Sequence, residues 1–138
     1  MLKGISKLIS PDLIKILMEM GHGDELVISD GNFPAANYAQ RLVRLDGHDA
    51  CPVLEAILEL LPLDTYAQPV YLMDKVKGDT VETPIWDEYK KIIAPHTDAQ
   101  PEFLERFEFY ERAKKAYAVV YTGESALYAN IIIKKGVL

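Results

Sequence analysis

The chain has 138 residues, of which 49% are hydrophobic, and a formal net charge of −6 at pH 7. This length predicts one domain, residues 1–138, and the acidic balance argues against a nucleic-acid partner, whose phosphates require clustered Lys and Arg. No apolar run approaches the roughly 18 residues of a membrane span, and the N-terminal segment is too short in its apolar part to resemble a secretory signal. We therefore expect a cytoplasmic protein without a membrane partner. Cys51 is the single cysteine, so no internal disulfide is possible.

The first helix is predicted over residues 11–20. Ser10 is its N-cap candidate, and apolar residues recur at helical spacing until Gly21 ends the pattern. A short strand follows over residues 24–29, because the apolar run there is too brief for a helix. Asp30 and the turn after it end this strand.

Two strands and two helices are predicted in the middle of the chain. Residues 41–45 and 69–76 contain the short apolar runs that are typical of strands. Residues 51–61 and 83–94 have helical periodicity, and Thr83 is the predicted N-cap of the second of these helices.

The last third continues the alternation of helices and strands. After a loop over residues 94–101, the pattern predicts a helix over 101–116, a strand over 117–121 and a final strand over 127–137. Alternation along the whole chain indicates an α/β domain whose central sheet is covered on both faces. In such domains, binding sites form at loops beyond the ends of the strands.

A histidine with little side chain around it follows the first helix. His22 lies between Gly21 and Gly23, which leave room for a ligand to approach. An imidazole exchanges protons near neutral pH, as a general acid and base must. The alternative is a histidine that caps the helix or is simply solvated.

Two aspartates lie at opposite ends of the first predicted strand, so they cannot form a direct carboxylate pair. Asp24 is close enough in sequence to cap the helix or to hold the tautomer of His22. Asp30, at the carboxyl end of the strand, is better placed to accept hydrogen bonds from the hydroxyls of a ligand. The alternative for Asp30 is an ordinary turn.

The predicted C-terminal helix and the last predicted strand carry the remaining polar candidates. Arg106 and Tyr110 are four residues apart and therefore share a helix face, beside an aromatic stripe of the kind that usually packs in a core. Tyr128 and Asn130 are two residues apart, so on a strand a phenol and an amide would point to the same side. Asn130 is the more informative residue, because asparagine is depleted in strands.

No phosphate-binding, nucleophile-elbow or zinc-protease motif occurs in the chain. His22, His48 and His96 lack a recognisable metal-ligand spacing, so we expect no metal site. His48 and His96 lie in polar or proline-flanked segments and are expected at the surface.

Five segments together resemble the fucose branch of the ribose pyranase and fucose mutarotase family. They are "ISPDLIKILMEMGHGDELVISDGNFPA", "LPLDTY", "TPIWDEY", "ERFEFYERAKKAYAVVYTGE" and "LYANIIIKKGVL". They occur in order along nearly the whole chain and include the polar residues identified above. The resemblance implies a three-layer α/β/α sandwich with a central mixed sheet.

The resemblance also implies a cofactor-free sugar mutarotase, which interconverts the α and β anomers of a reducing sugar, here L-fucose. The reaction requires only two proton transfers, one from the anomeric hydroxyl and one to the ring oxygen. Related proteins form ring-shaped decamers in which neighbouring subunits complete each pocket, so the resemblance further implies a homo-oligomer with a monosaccharide as its partner.

The family's functional positions correspond to seven residues of this chain. His22 matches the catalytic histidine, and Tyr110 matches a residue that either shuttles a proton or holds the sugar. The remaining residues match positions that bind the ligand in the family, and they are Asp30, Asp64, Arg106, Tyr128 and Asn130.

Three departures from the fucose pattern leave alternatives open. Gly31 and Tyr121 stand where a larger residue and an alanine are common, and the "YAN" of residues 128–130 also occurs in the ribose branch. A ribose pyranase, which interconverts pyranose and furanose forms, is therefore one alternative. A sugar-binding module without catalysis, in which His22 is a spectator, is the other.

Overall fold

A six-stranded sheet is the middle layer of the fold. The computed structural model describes residues 1–138. The strands are β1 (Glu25–Ser29), β2 (Leu42–Leu45), β3 (Val70–Met73), β4 (Glu102–Leu104), β5 (Ala118–Thr122) and β6 (Ile131–Lys134). Their order in the sheet is β2-β5-β1-β6-β3-β4, and β6 is antiparallel to both of its neighbours. The sheet is therefore mixed, as expected.

Five helices cover the two faces of the sheet. They are α1 (Pro11–Glu19), α2 (Ala35–Tyr38), α3 (Ala50–Leu58), α4 (Pro84–Ile93) and α5 (Arg106–Lys115). Helices α1, α3 and α4 pack on one face, and α2 and α5 pack on the other. The predicted three-layer α/β/α sandwich is confirmed. None of the helices combines the length and apolar character that crossing a membrane would need.

The central strands are apolar on both sides because both of their faces are covered. In β1, Leu26 and Ile28 face the layer of α1, α3 and α4, whereas Val27 faces α2 and α5. All three residues are fully buried. Continuous apolar runs of this kind are expected for strands buried between two helix layers.

The direction of the strands distinguishes two edges of the sheet, one where most strands begin and one where most strands end. Strands β1 to β5 run in the same direction, and β6 runs in the opposite one. We call the edge at which β1 to β5 end the carboxyl edge, and the edge at which they begin the amino edge. Strand β6 therefore begins at the carboxyl edge.

Two predicted helix caps have different outcomes. The hydroxyl of Ser10 accepts a hydrogen bond of 3.1 Å from the backbone N–H of Leu13, so this cap is confirmed. Thr83 does lie at the N-cap position of α4, but its side chain makes no capping hydrogen bond. There Pro84 at the first helical position, whose ring fixes φ, favours the helix start instead.

The helix predicted over residues 101–116 is wrong in its first part. Residues Glu102–Leu104 are strand β4, because the backbone there pairs with the free side of β3. The helix begins only after Glu105, whose carboxylate accepts hydrogen bonds from the backbone N–H groups of Phe107 and Glu108. Pairing with the exposed side of β3 therefore determines the conformation of residues 102–104, despite their helical sequence pattern.

The strand predicted over residues 127–137 is also too long. Only Ile131–Lys134 form β6, and Tyr128 has a left-handed backbone with φ of 57°. Two side chains of α4 stabilise this turn: Trp86 Nε1 donates to the carbonyl of Tyr128 at 2.8 Å, and Tyr89 Oη donates to the carbonyl of Ala129 at 2.7 Å. Strand alternation therefore does not relate Tyr128 to Asn130.

The aromatic stripe formed by Phe103, Phe107 and Tyr110 is not part of the hydrophobic core, although such stripes usually are. Phe103 is 41% exposed and Phe107 is 64% exposed, while Tyr110 is half-buried. Phe103 lies in β4 and Phe107 in the first turn of α5, where the chain passes the carboxyl edge of the sheet. Exposed aromatic side chains of this size are typical of surfaces that bind another protein or a ligand.

Candidate functional site

A pocket opens at the carboxyl edge of the sheet, with a volume of about 360 Å³. Five of the seven predicted site residues line it, namely Asp30, Arg106, Tyr110, Tyr128 and Asn130. A wider groove of about 590 Å³ runs along α5, but only one of its seven lining residues is hydrophobic and none is a predicted site residue. The carboxyl-edge pocket is therefore the candidate site for a small polar ligand.

Asp30 and Asn130 hold each other through two hydrogen bonds at the base of the pocket. Asn130 Oδ1 accepts from the backbone N–H of Asp30 at 2.9 Å, and Asn130 Nδ2 donates to Asp30 Oδ2 at 3.1 Å. Asp30 Oδ1 accepts from the backbone N–H of Asn32 at 2.9 Å. Each carboxylate oxygen keeps a lone pair that a ligand hydroxyl can use. Burial raises the pKa of Asp30 above its ordinary value.

The Asp30–Asn130 pair predicts a pH-dependent loss of stability in Asn130→Asp. Two carboxylates would then face each other in a buried position, so the pKa of one rises above its unfolded value. Below about pH 4 that group is protonated and the cost is small. As the pH rises, the unfolded state ionises first and the folded state is penalised, by ~2 to 4 kcal/mol at pH 7.5.

Urea unfolding at pH 4 and at pH 7.5 measures this effect. Asn37→Asp is the matched control, because Asn37 is exposed on α2 and receives the same charge. We expect Asn37→Asp to follow the parent protein at both pH values. Equal stability of Asn130→Asp and the parent at pH 7.5 would contradict the observed pairing.

Two of the departures from the fucose pattern contact each other next to Asp30. Tyr121 Oη donates to the carbonyl of Gly31 at 2.8 Å. A Cβ on Gly31 would come within 3.2 Å of the carbonyl oxygen of Glu124, which also accepts a hydrogen bond from the N–H of Gly31 at 2.8 Å. A larger residue at position 31 would crowd this contact, so Gly31 and Tyr121 form one local arrangement.

Arg106 and Tyr110 lie on one face of α5, as predicted. Arg106 Nε donates to Tyr110 Oη at 3.2 Å, and the guanidinium retains further N–H donors. Since the phenol oxygen of Tyr110 accepts this bond, its own hydrogen is available to a ligand in the pocket. The pair therefore provides a cation and a hydroxyl donor on the same wall.

The left-handed backbone at Tyr128 points its phenol across the pocket to the loop between β3 and α4. Tyr128 Oη donates to Asp79 Oδ2 at 2.5 Å and accepts from the backbone N–H of Val76 at 3.3 Å. Non-glycine residues in this region of backbone space are uncommon and often belong to functional sites. Asp79 and Val76 line the same pocket.

His22 lies at the amino edge and pairs with Asp64. His22 Nε2 is 3.1 Å from Asp64 Oδ1, and the imidazole is 44% exposed while the carboxylate is 3% exposed. The backbone N–H of Tyr66 donates to Asp64 Oδ1 at 3.0 Å, and this bond, together with the contact to His22, lowers the pKa of Asp64. The ring of Tyr66 lies 5.4 Å from that of His22.

The suggestion that Asp24 holds the tautomer of His22 is wrong. Asp24 Oδ2 accepts a hydrogen bond of 2.7 Å from the backbone N–H of Gly21 and so caps the turn after α1. Asp64 makes the contact with the imidazole instead. Asp24 was favoured because it is close to His22 in sequence. In the fold, however, Asp64 lies beside the imidazole, because the loop before β3 passes close to His22.

The seven predicted residues therefore form two groups at opposite edges of one chain. Asp24 precedes β1 and Asp30 follows it, and at about 3.3 Å per residue this separation spans roughly 20 Å. His22 does not line the carboxyl-edge pocket. We call His22, Asp64 and Tyr66 the histidine half-site, whereas Asp30 and Asn130 belong to the carboxyl-edge pocket.

Tyr66 and Asp79, whose side chains contact predicted site residues, were not predicted from the sequence. Tyr66, which is 78% exposed beside His22, could have been found from its position in the "LPLDTY" segment. Asp79 lies in a loop without periodicity or motif, so no sequence signal identifies it. His48 and His96 are exposed, as expected. No group of three or more His, Cys, Asp or Glu side chains is arranged to hold a metal ion.

Comparison with known proteins identifies close relatives along the whole chain. The family model described as the RbsD / FucU transport protein family matches residues 3–138. The fucose mutarotase of Mus musculus is 52% identical over 146 residues, which cover 99% of this chain and 95% of the mouse protein.

Solved structures share the fold. The crystal structure of the fucose mutarotase from Streptococcus pneumoniae in complex with L-fucose is 51% identical, with a TM-score of 0.94 over 99% of both chains. Bacillus subtilis RbsD complexed with D-ribose is 26% identical, with a TM-score of 0.76 over 100% of this chain and 99% of that chain. By sequence and by structure, the chain belongs to the RbsD / FucU family.

Proposed function

We propose that this chain is an L-fucose mutarotase, which interconverts the α and β anomers of the free sugar. One observation carries the proposal: five polar side chains converge on one pocket in a chain that is 51% identical to a fucose mutarotase solved with L-fucose. The pocket offers a carboxylate, an amide, a guanidinium and two phenols. These groups match a ligand whose surface is mostly hydroxyl.

Mutarotation requires the ring to open and to close on the other face. Opening removes a proton from the anomeric hydroxyl and adds one to the ring oxygen, which breaks the bond between that oxygen and the anomeric carbon. Closing reverses both transfers after the aldehyde has rotated. A positioned acid-base group contributes about 10²- to 10⁴-fold to such a reaction, without any covalent adduct or redox step. We therefore propose a mechanism that uses no cofactor.

His22 is the proposed acid and base. The ionised carboxylate of Asp64 favours the tautomer in which His22 Nε2 carries the hydrogen, because a carboxylate only accepts hydrogen bonds. Nδ1 is then the nitrogen that exchanges protons with the sugar. Tyr110 is proposed as the second group at the reacting centre, either as a proton shuttle or as a donor to a sugar oxygen.

The proposal includes a homo-oligomer, a decameric ring, in which the histidine half-site of one copy faces the carboxyl-edge pocket of the next. As the proposed site for the monosaccharide, this pocket is called the sugar pocket below. Within one chain the two groups lie at opposite edges of the sheet, so His22 cannot reach a sugar bound beside Asp30. Contact between different edges of identical copies is heterologous, and such contacts form a ring when the rotation between successive copies closes.

Exposed apolar side chains around both groups support this assembly. Beside the sugar pocket, Val76 is 49% exposed, Leu127 is 52% exposed and Phe107 is 64% exposed. In the histidine half-site, Tyr66 is 78% exposed, and Met18, near the end of α1 and four residues before His22, is 80% exposed. Apolar residues of this size, gathered beside polar groups, are typical of interfaces.

A cytoplasmic location is part of the proposal. Cys51 is a free thiol and the chain has no second cysteine, which is usual in a reducing compartment. The proposed substrate is a free monosaccharide, so the site needs no nucleic acid or membrane.

Ribose pyranase activity is the second candidate, because the chain is also 26% identical to an RbsD solved with D-ribose. Both reactions use the same proton transfers, and they differ in the sugar that the pocket accepts. The non-catalytic binding module is the third reading, in which the pocket binds a sugar and His22 takes no part.

Saturation-transfer NMR on each sugar distinguishes these functions. We expect the protein to accelerate exchange between the two anomeric signals of L-fucose. Exchange confined to the pyranose and furanose signals of D-ribose would replace the proposal with ribose pyranase activity. Line broadening by bound fucose without faster exchange would leave only the binding module.

A further inference from the structure

The loop between β3 and α4, residues 74–83, carries a carboxylate on the wall of the sugar pocket. Asp79 Oδ2 accepts the hydrogen of Tyr128 Oη, and Asp79 Oδ1 accepts from the backbone N–H of Val81 at 3.0 Å. The loop also donates to the phenol, through the backbone N–H of Val76. The phenol of Tyr128 therefore makes two hydrogen bonds to this loop, one as donor and one as acceptor.

These contacts leave the phenol with one free hydrogen-bonding position. A phenol oxygen has one hydrogen and two lone pairs. The hydrogen is used by Asp79 and one lone pair by Val76. The remaining lone pair can only accept a hydrogen bond, so a ligand must offer Tyr128 a hydroxyl hydrogen.

The electrostatics agree with this assignment. The bond to Asp79 is the main cause that raises the pKa of Tyr128, and the same bond is the main cause that lowers the pKa of Asp79. Near neutral pH, Asp79 is therefore ionised and can only accept. The phenol keeps its hydrogen and directs it to Asp79.

We propose that Asp79 is a positioning residue for sugar recognition, which turns Tyr128 into an obligate hydrogen-bond acceptor. This inference rests on the proposed function, because it takes the carboxyl-edge pocket as the sugar site. It adds Asp79 to the seven predicted residues, and it states that Tyr128 accepts a hydrogen bond from the ligand and does not donate one. Asp79 itself acts through the phenol and needs no contact with the reacting atoms.

Asp79→Asn is the informative substitution because it keeps the shape of the side chain but replaces the hydrogen-bond acceptor that faces Tyr128 with a donor. The amide oxygen still accepts from the N–H of Val81, so the loop turn is retained. The amide nitrogen faces Tyr128 Oη and donates to it, so the phenol hydrogen turns towards the ligand. We expect the dissociation constant for L-fucose to rise about tenfold.

A double-mutant cycle with Tyr128→Phe separates positioning from a general effect on the loop. We measure L-fucose binding by calorimetry for Asp79→Asn, Tyr128→Phe and the double variant. If Asp79 acts through the phenol, then Asp79→Asn has no further effect once Tyr128 is phenylalanine. Asp74→Asn is the matched control, since Asp74 is exposed in the same loop and its carboxylate bonds only to the backbone N–H of Lys75.

A spectroscopic readout follows the phenol directly. The phenolate absorbance of the parent minus that of Tyr128→Phe isolates Tyr128 among the eight tyrosines. The same subtraction in the Asp79→Asn background is expected to show ionisation at lower pH, because the neighbouring negative charge has been removed. Asp74→Asn is expected to leave this titration unchanged.

Three outcomes overturn the inference. Fucose affinity that is unchanged in Asp79→Asn would remove any role for this residue. Additive losses in the double variant would mean that Asp79 acts independently of Tyr128. Unchanged affinity in Tyr128→Phe would also overturn the assignment of the pocket, whereas the first two outcomes leave that assignment standing.

Discussion

Replacing His22 with alanine is expected to lower the rate of fucose anomer exchange by about 10²- to 10⁴-fold, which is the usual contribution of one acid-base group. The imidazole is half exposed and makes one side-chain hydrogen bond, to Asp64, so its removal leaves the sheet and both helix layers intact. Binding of L-fucose is expected to persist, because the five polar side chains of the sugar pocket are unchanged in this variant. Saturation transfer measures the exchange rate, and calorimetry measures the affinity.

His48→Ala is the matched control for this experiment. His48 is exposed in the loop before α3 and lies in neither group of site residues. We expect the exchange rate of His48→Ala to equal that of the parent. Full exchange activity in His22→Ala would exclude His22 from the reaction and would transfer the proton chemistry to Tyr110.

Mixing two inactive variants is expected to restore activity if sites form between copies. One chain carries His22→Ala, and a differently tagged chain carries Asp30→Ala. Co-expression and purification through both tags give mixed assemblies. With random arrangement, about a quarter of the interfaces pair an intact histidine half-site with an intact sugar pocket. The exchange rate should therefore recover to roughly a quarter of the parent value.

The matched control combines the parent chain with a chain that carries both substitutions. Sites between copies predict about a quarter of the parent activity in both mixtures. Sites within one chain predict no activity in the first mixture and about half in the control. Size-exclusion chromatography of each mixture verifies that the assembly is retained. Absence of recovery in the first mixture, with half activity in the control, would contradict the shared site.

The sequence by itself determined most of the elements of this fold. Ser10 predicted the start of α1, and the helical spacing of apolar residues predicted its length. The short apolar run of β1 predicted a buried strand, because such runs are too brief for a helix and need cover on both faces. These features are local, so a linear pattern is enough to find them.

The sequence also placed Asp30 correctly at the carboxyl end of β1, with Arg106 and Tyr110 on one face of α5. Periodicity decides which residues share a face, and strand direction decides which end of a strand meets a pocket. Resemblance to a family added Asp64, which no local pattern identifies. That these residues act on a sugar stays a proposal.

Only the tertiary structure decided the conformation at residues 102–104 and 128–130. Glu102–Leu104 are extended because β3 offers an unpaired edge, and that partner is about 30 residues away in the chain. Tyr128 adopts a left-handed backbone because Trp86 and Tyr89 bind the carbonyls of residues 128 and 129. Hydrogen bonds between distant segments have no signature in a local pattern.

The tertiary structure also decided how the site residues are grouped. A linear reading places His22 and Asp30 close together, yet β1 separates them and carries them to opposite edges of the sheet. Asp64 meets His22, and Asp79 meets Tyr128, only because loops far apart in sequence converge. Sequence patterns report which residue types are present and which face they share, whereas strand order and loop contacts decide which of them meet.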